Sequence, residues 1–234
     1  ESQEFFADNI DSYAYNPDRA VEILEADGWT LNADGTPYSG TGLRYKEVTA
    51  EEAGDYALNV TLDDGRILMP LHIMWASSED NPVSELLAVM LANGEQTAAA
   101  GMEIEMTVMS FTDLLNYMYR DDSQGEKYGV PTYGMYNLAT SFYPQYDFSY
   151  NFSLDEAMIK AGLNTNFIFD EQLDKLSMEM VYGVEYGDDE TFRQRFVDFV
   201  VRWNELIPEI PLYSNIYYDV FNEKLQGYET VSYT

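Results

Sequence analysis

The residues with the most distinctive chemical potential lie between positions 133 and 152. Tyr133, Tyr136, Phe142, Tyr143, Tyr146, Phe148, Tyr150 and Phe152 alternate there with Asn137, Thr140, Ser141 and Gln145. Rigid amphipathic rings beside short hydrogen-bonding side chains suit a pocket for a small solute or a peptide. The same rings would also pack a loop onto helices, and the two uses are compatible because only some need face a cleft. Acidic pairs stand at Asp63/Asp64, Asp121/Asp122 and Asp188/Asp189. A glycosidase needs two carboxylates across a cleft, one with a raised pKa. With 42 Asp and Glu in the chain, adjacent acids arise by chance, and these three pairs sit at turn or helix-cap signals. His72, the single histidine, lies in the run Leu71-His72-Ile73-Met74 and has no G-x-S-x-G elbow to serve. Neither a G-x-G-x-x-G turn after a strand nor a Walker loop is present, so nucleotide binding has no support.

Composition narrows the classes further. The chain has 234 residues, no Cys, and 12 Lys and Arg against 42 Asp and Glu, a net charge of −30. That charge repels phosphate backbones and anionic lipid, so neither nucleic acid nor a membrane surface is an expected partner. One His and no Cys leave no set for a His/Cys zinc site, a thiol nucleophile or an iron–sulfur cluster, and no cofactor is expected. At 46% apolar and 15% aromatic residues, the chain is too rich for a disordered acidic tail. It contains no apolar run long enough to span a bilayer. The start, Glu1-Ser2-Gln3-Glu4, has neither an initiating Met nor a basic leader, and reads as a cut left by expression or processing.

The elements that must position these residues alternate in type. Asn16-Pro17-Asp18 opens a helix with a cap, a first-turn proline and an acid at the positive end, and Gly28 ends it. Segments 57–62 and 66–75 read as strands joined by a hairpin at Asp63-Asp64-Gly65, with Pro70 demanding an edge, a bulge or a strand that begins after it. A helix over 82–101 shows apolar residues at Val83, Leu86, Leu87, Met90 and Leu91. Residues 103–109 alternate as a half-buried strand, 111–119 form a short helix, and 130–138 a strand. Asp170 caps a helix bearing Leu173, Leu176, Met180 and Val181. Another runs over 190–207 until Pro208 stops it, and 210–220 form a last apolar strand. Alternating helices and strands predict an α/β fold, a mixed sheet flanked by helices, in a single domain over 1–234.

The order of motifs also resembles a known family. Tyr15-Asn16-Pro17-Asp18-Arg19-Ala20-Val21-Glu22-Ile23-Leu24, then Ala26-Asp27-Gly28-Trp29 and Asp34-Gly35-Thr36-Pro37, is similar to the opening of the last large lobe of extracellular solute-binding proteins of family 5. These are the oligopeptide-, dipeptide- and nickel-binding receptors of ABC importers. Gly101-Met102-Glu103-Ile104 resembles a later strand of that lobe, and Trp203-Asn204-Glu205-Leu206-Ile207-Pro208-Glu209-Ile210-Pro211-Leu212-Tyr213 its closing strand. The resemblance covers nearly the whole chain in the family's order.

It implies a type II periplasmic-binding-protein-like lobe, the second and C-terminal one of two, with residues 208–234 as the closing strand and the return toward the first lobe. It further implies a non-catalytic receptor that encloses a peptide or other small solute by hinge closure and delivers it to ABC permease subunits. The full-length protein would be extracellular or at the cell surface, a lipid-anchored bacterial lipoprotein whose export signal precedes this segment; the segment itself would not insert in the membrane. Ligand contacts are expected from Tyr136, Asn137, Thr140, Ser141, Phe142 and Asp147. In peptide-binding members a segment of the form W-x-x-D-Y-x-(D/E)-P supplies an Asp to the peptide's α-amino group. The corresponding stretch, residues 138–148, has no Trp and places Pro144 where that Asp would fall if Asp147 matches the later acid. Either Asp147 takes the role, or a free N-terminus is not recognised in this way. Two alternatives from other classes are a secreted carbohydrate-binding module with stacked aromatic rings, expected to be a β-sandwich, and an acid/base hydrolase.

Overall fold

The computed structural model describes residues 9–54, 56–92, 95–139, 146–213 and 220–227. Its contacts divide into two compact units, one of Tyr13–Ala139 and one of Glu1–Ser12 with Thr140–Thr234.

The first unit opens with α1 (Pro17–Ala26), where Asn16 accepts a hydrogen bond from the Arg19 amide at 3.0 Å. Its C-terminal end is tied down by Arg44, which is only 4% exposed. The guanidinium donates to the carbonyls of Trp29 and Ala100, each at 2.9 Å, and to the Glu25 carboxylate at 3.2 Å, with the Tyr38 ring centroid 4.2 Å away. A charge so buried is tolerable because its donors are matched and a carboxylate is in reach.

A small antiparallel sheet follows, β1 (Tyr45–Val48), β2 (Val60–Thr61) and β3 (Ile67–Pro70), in the order β1-β3-β2. The capping box of α2 (Ala50–Ala53) intervenes, Thr49 and Glu52 each closing on the other's backbone. The hairpin expected at Asp63-Asp64-Gly65 joins β2 to β3. The segment read as one strand over 66–75 is two. β3 ends at Pro70, which has no amide to donate, and after the buried Leu71 the chain enters a different sheet as β4 (His72–Ser78).

That second sheet is parallel, in the order β5-β4-β6, with β5 at Glu103–Met109 and β6 at Met135–Tyr136. β4 is central, so Trp75, Ala76 and Ser77 are all buried, as strands covered on both faces are. The helical segment expected over 82–101 is described as α3 (Pro82–Ala92) and α4 (Glu95–Ala99), with positions 93 and 94 outside the described residues. α5 (Phe111–Tyr119) buries Leu114 and Met118, and the Ser110 hydroxyl accepts from the Asp113 amide at its start. β6 keeps two residues of the strand expected over 130–138, because Pro131 cannot donate to a ladder and Gly134 adds no side chain to pack.

In the second unit, α6 (Glu156–Lys160) precedes the consecutive helices α7 (Glu171–Tyr182) and α8 (Asp189–Leu206). Phe152, Leu173 and Phe199 form its core, with Phe148, Ile168, Leu176, Val200, Trp203 and Leu206 packed around them. Phe148 stacks on Phe199 at 5.3 Å between centroids. The Asp170 carboxylate caps α7, accepting from the Leu173 amide at 2.7 Å, and receives Arg202 from α8 through Nε at 3.1 Å and Nη2 at 2.5 Å. Ile207 adopts a left-handed conformation that ends α8 before Pro208. The strand expected over 210–220 is not present in its described part: 210–213 and Val220 belong to no strand, and 214–219 lie outside the described residues. Two small sheets flanked by helices make the chain α/β, and among the described residues no helix is long and apolar enough to cross a membrane.

Candidate functional site

The parallel sheet reverses its direction of growth at β4: the connection through α3 and α4 leads to β5 on one side, and the return through α5 leads to β6 on the other. In open parallel sheets the carboxyl ends of the strands at such a reversal splay apart and leave a crevice, the usual ligand position. Tyr136 and Asn137 stand at that edge. The Asn137 amide continues the β4–β6 ladder by donating to the Ala76 carbonyl at 3.0 Å, and its side-chain Nδ2 donates to the Ser84 hydroxyl. Ser84 lies in the first turn of α3, with its amide on the Asn81 side chain at 3.1 Å. One strand end is thereby tied to a helix N-terminus, whose free amides carry partial positive charge.

Composition alone did not single out Ser77. It sits at the carboxyl end of β4, 1% exposed, and its hydroxyl has no hydrogen-bond partner among the described residues. An orphaned buried hydroxyl is rare, and this one lies closed off within the central strand rather than open to a ligand. The signal that points to this edge in sequence is the succession strand, Asn81, Pro82, helix, which places a cap directly after a parallel strand.

Behind the edge lies a cluster of tyrosines. Tyr117 meets Tyr128 at 4.8 Å and Tyr133 at 5.0 Å, and Tyr133 meets Tyr136 at 6.2 Å, all edge to face. The Tyr136 hydroxyl donates to the Tyr117 carbonyl at 3.2 Å, and burial pushes its phenol up to about 12. The Tyr128 hydroxyl donates to Asp113, whose carboxyl is held below its ordinary range by that bond and the one from Ser110. Lys127 lies 4.6 Å from the Tyr128 ring centroid. The cluster fixes the orientation of the Tyr136 ring from behind.

Thr140, Ser141 and Phe142, expected to contact ligand, lie outside the described residues. Asp147 belongs to the other unit. Its Oδ1 accepts from the Ser149 amide at 3.0 Å and from the Ser149 hydroxyl at 2.6 Å. It lines an open groove of about 430 Å³ between the end of α7 and the start of α8, together with Tyr146, Glu185, Tyr186, Asp189 and Phe192. Tyr146 closes one side edge to face against Phe192 at 5.8 Å and Phe196 at 6.4 Å. Of the aromatic segment, Phe148 and Phe152 pack the helical core, Tyr146 lines the groove, and Tyr133 and Tyr136 support the strand edge.

The hydrolytic candidates have structural roles. His72 bridges Tyr56, 2.9 Å from Nδ1, and Glu105, 3.1 Å from Nε2. Asp64 pairs with Arg66, Asp121 caps a 3₁₀ turn and Asp188 caps α8. The Asp64 and Asp188 carboxyls are held low by those bonds, opposite to what a general acid requires. The Asp174 carboxyl is raised by burial, but among the described residues it has no second raised acid to make a pair across a cleft. No group of three or more His, Asp or Glu able to hold a metal ion occurs among the described residues.

No protein-family model matches the chain, and no curated protein matches it by sequence. Solved structures do. The oligopeptide-binding protein of Thermus thermophilus, complexed with a pentapeptide, superposes with a TM-score of 0.62 at 19% identity, over 89% of this chain and 31% of its own. The oligopeptide-binding protein AppA of Bacillus subtilis, in complex with a nonapeptide, has a TM-score of 0.54 at 19% identity, over 87% of this chain and 33% of its own. NikZ of Campylobacter jejuni, in complex with Ni(L-His), gives 0.54 at 17% identity over 87% and 33%. The chain therefore has the α/β fold of part of these binding proteins and spans about a third of their length.

Proposed function

We propose that this chain is the substrate-binding lobe of a two-lobed ABC-importer receptor for oligopeptides, acting without catalysis. The observation that carries the reading is the fold match, which covers nearly all of this chain but a third of receptors whose structures hold a pentapeptide or a nonapeptide. The parallel sheet is consistent with it: among the described residues β6 is an edge strand, and an extended peptide presents the backbone amides and carbonyls that such an edge can pair with. On this reading, ligand contacts fall to Tyr136 and Asn137 in one unit and, separately, to Thr140, Ser141, Phe142 and Asp147 in the other. The full-length receptor works at the cell surface as a lipid-anchored lipoprotein and hands its solute to the permease.

Closure draws its free energy from contacts made on both lobes at once, so half of the contacts leaves little net affinity. The isolated chain should bind tri- to pentapeptides no tighter than about 1 mM, roughly 4 kcal/mol. Calorimetric or NMR titration checks this. Micromolar binding by this chain alone would show a self-sufficient site and overturn the lobe reading. The parallel sheet and long helices leave the β-sandwich expected of a carbohydrate-binding module unmet.

A further inference from the structure

We infer that the groove between α7 and α8 is a side-chain subsite for a cation, so that the peptides this lobe takes carry lysine or arginine. The inference rests on the peptide-receptor reading and narrows it to a solute class. Three observations within one unit converge. The groove wall is mostly apolar and aromatic: Tyr146 and Phe192 pack edge to face, and Phe192 stacks with Phe196 at 6.4 Å. Tyr186 stands beside it, fully exposed. A large ring left entirely in water next to an apolar groove is poised to close over an occupant. Among the described residues, the charged ones lining the groove are Asp147, Glu185, Asp188 and Asp189, with no Lys, Arg or His.

Aromatic faces attract cations through the ring quadrupole, and carboxylates at the rim complete the complementarity. An alkyl stem ending in an ammonium or guanidinium meets both parts, the methylenes on the rings and the head among the acids. An acidic side chain would meet like charge, and a purely apolar one would leave the rim without a counterpart. Asp188 is committed to capping α8 through the Thr191 amide and hydroxyl and Asp147 accepts from the Ser149 amide and hydroxyl, so Glu185 and Asp189 are the acids with which a guest would chiefly pair. The volume, about 430 Å³, accommodates a side chain rather than a folded partner, and its open mouth suits a residue presented by an extended chain. The net charge of −30 draws such solutes toward the molecule before contact.

The test is an NMR titration of the 234-residue chain with blocked tripeptides Ala-Lys-Ala, Ala-(Nε-acetyl-Lys)-Ala and Ala-Glu-Ala, together with free Ala-Ala-Ala. The lysine peptide should shift the amides of residues 184–192 saturably and bind at least about fivefold tighter than its acetylated isostere at low salt. The preference should vanish in Glu185→Gln/Asp189→Asn and fall in Tyr186→Ala. It should persist in Glu22→Gln/Glu156→Gln, which removes as much charge from exposed helix positions. Equal binding of lysine and acetyl-lysine peptides overturns the inference and leaves the peptide reading standing. So does a preference lost equally in the charge-matched control, since that assigns it to general acidity. Failure of every peptide to bind at about 10 mM overturns the inference and agrees with the lobe reading, which expects little net affinity from this chain alone.

Discussion

Gly101 has a φ of +76°, and a Cβ placed on it would lie 2.5 Å from Arg44 Cγ and 2.8 Å from the Tyr38 hydroxyl. Arg44 cannot swing aside cheaply, because its guanidinium is held by two carbonyls and Glu25. Gly101→Ala should therefore cost about 2–4 kcal/mol, combining left-handed backbone strain with overpacking; a urea midpoint unchanged from the parent would show that Arg44 moves freely. Gly101 and Trp29, both in the motifs that resemble the receptor family, meet Arg44 here, so those motifs record architecture rather than ligand contact. Tyr136 is a different kind of residue, with its phenol pushed up to about 12 by burial. The folded value lies above the unfolded one near 10, so the folded state holds the proton longer. The stability this group contributes is complete below pH 10 and is lost as pH rises from there toward 12. Tyr136→Phe should flatten that part of a melting-temperature profile while costing about 1 kcal/mol at neutral pH for the lost hydrogen bond. A profile as steep as the parent's would assign the alkaline loss to other groups.

At the scale of elements, the α7–α8 pair is held at one point by Asp170, which caps α7 and receives two bonds from Arg202. Asp170→Ala removes cap and counterion together and should cost about 2–4 kcal/mol in a denaturant titration. Asp170→Asn keeps a capping oxygen and should cost less. The Arg202 hydrogen bonds hold the Asp170 carboxyl below its ordinary value near 3.8, so its contribution is present above that value and lost as pH falls through the lower folded one. In Asp170→Asn that share of the acid loss should disappear; an unchanged acid limb would sink the assignment. Helices such as these were readable in the sequence because their signals are local: Asn16 with Pro17, Asp170, and the stripe from Phe192 to Leu206. Strands were less so, because their partners are distant. Pro70 marks a break between Arg66 and Trp75, as Pro131 and Gly134 do before β6, but no local signal says that the chain changes sheets at Leu71. The site divides the same way. Tyr136 and Asn137 stood out by composition, whereas Ser77 matters only because β4 is central, and Glu185 and Tyr186 only because two helix ends meet beside Tyr146.

For the molecule as a whole, 42 acids against 12 bases set two opposing responses to acidity. Most of the carboxylates repel one another, and neutralising or screening them stabilises the compact state. A smaller set, Asp34, Glu52, Asp64, Asp113, Asp170 and Asp188, is held below the ordinary range chiefly by hydrogen bonds at turns, caps and ion pairs. These stabilise the fold only while ionised, so their share is lost as pH falls below about 4. Repulsion eases first on the way down from neutrality, since ordinary carboxylates begin to take up protons above that point. The stability maximum should consequently lie on the acid side of neutrality, near about pH 5. Salt separates the two effects. Raising ionic strength from about 0.01 M to 0.1 M at pH 7 shortens the screening length from about 30 Å to about 10 Å, which weakens the long-range repulsion more than the short hydrogen-bonded contacts. Exposed pairs such as Arg19–Glu22 and Lys160–Glu156 offer little to lose. The melting temperature should rise by several degrees over that range at pH 7 and by less at pH 5, where part of the charge is already gone. A fall in melting temperature with salt at pH 7 would mean that local attractions, not the summed charge, govern the electrostatics of the fold.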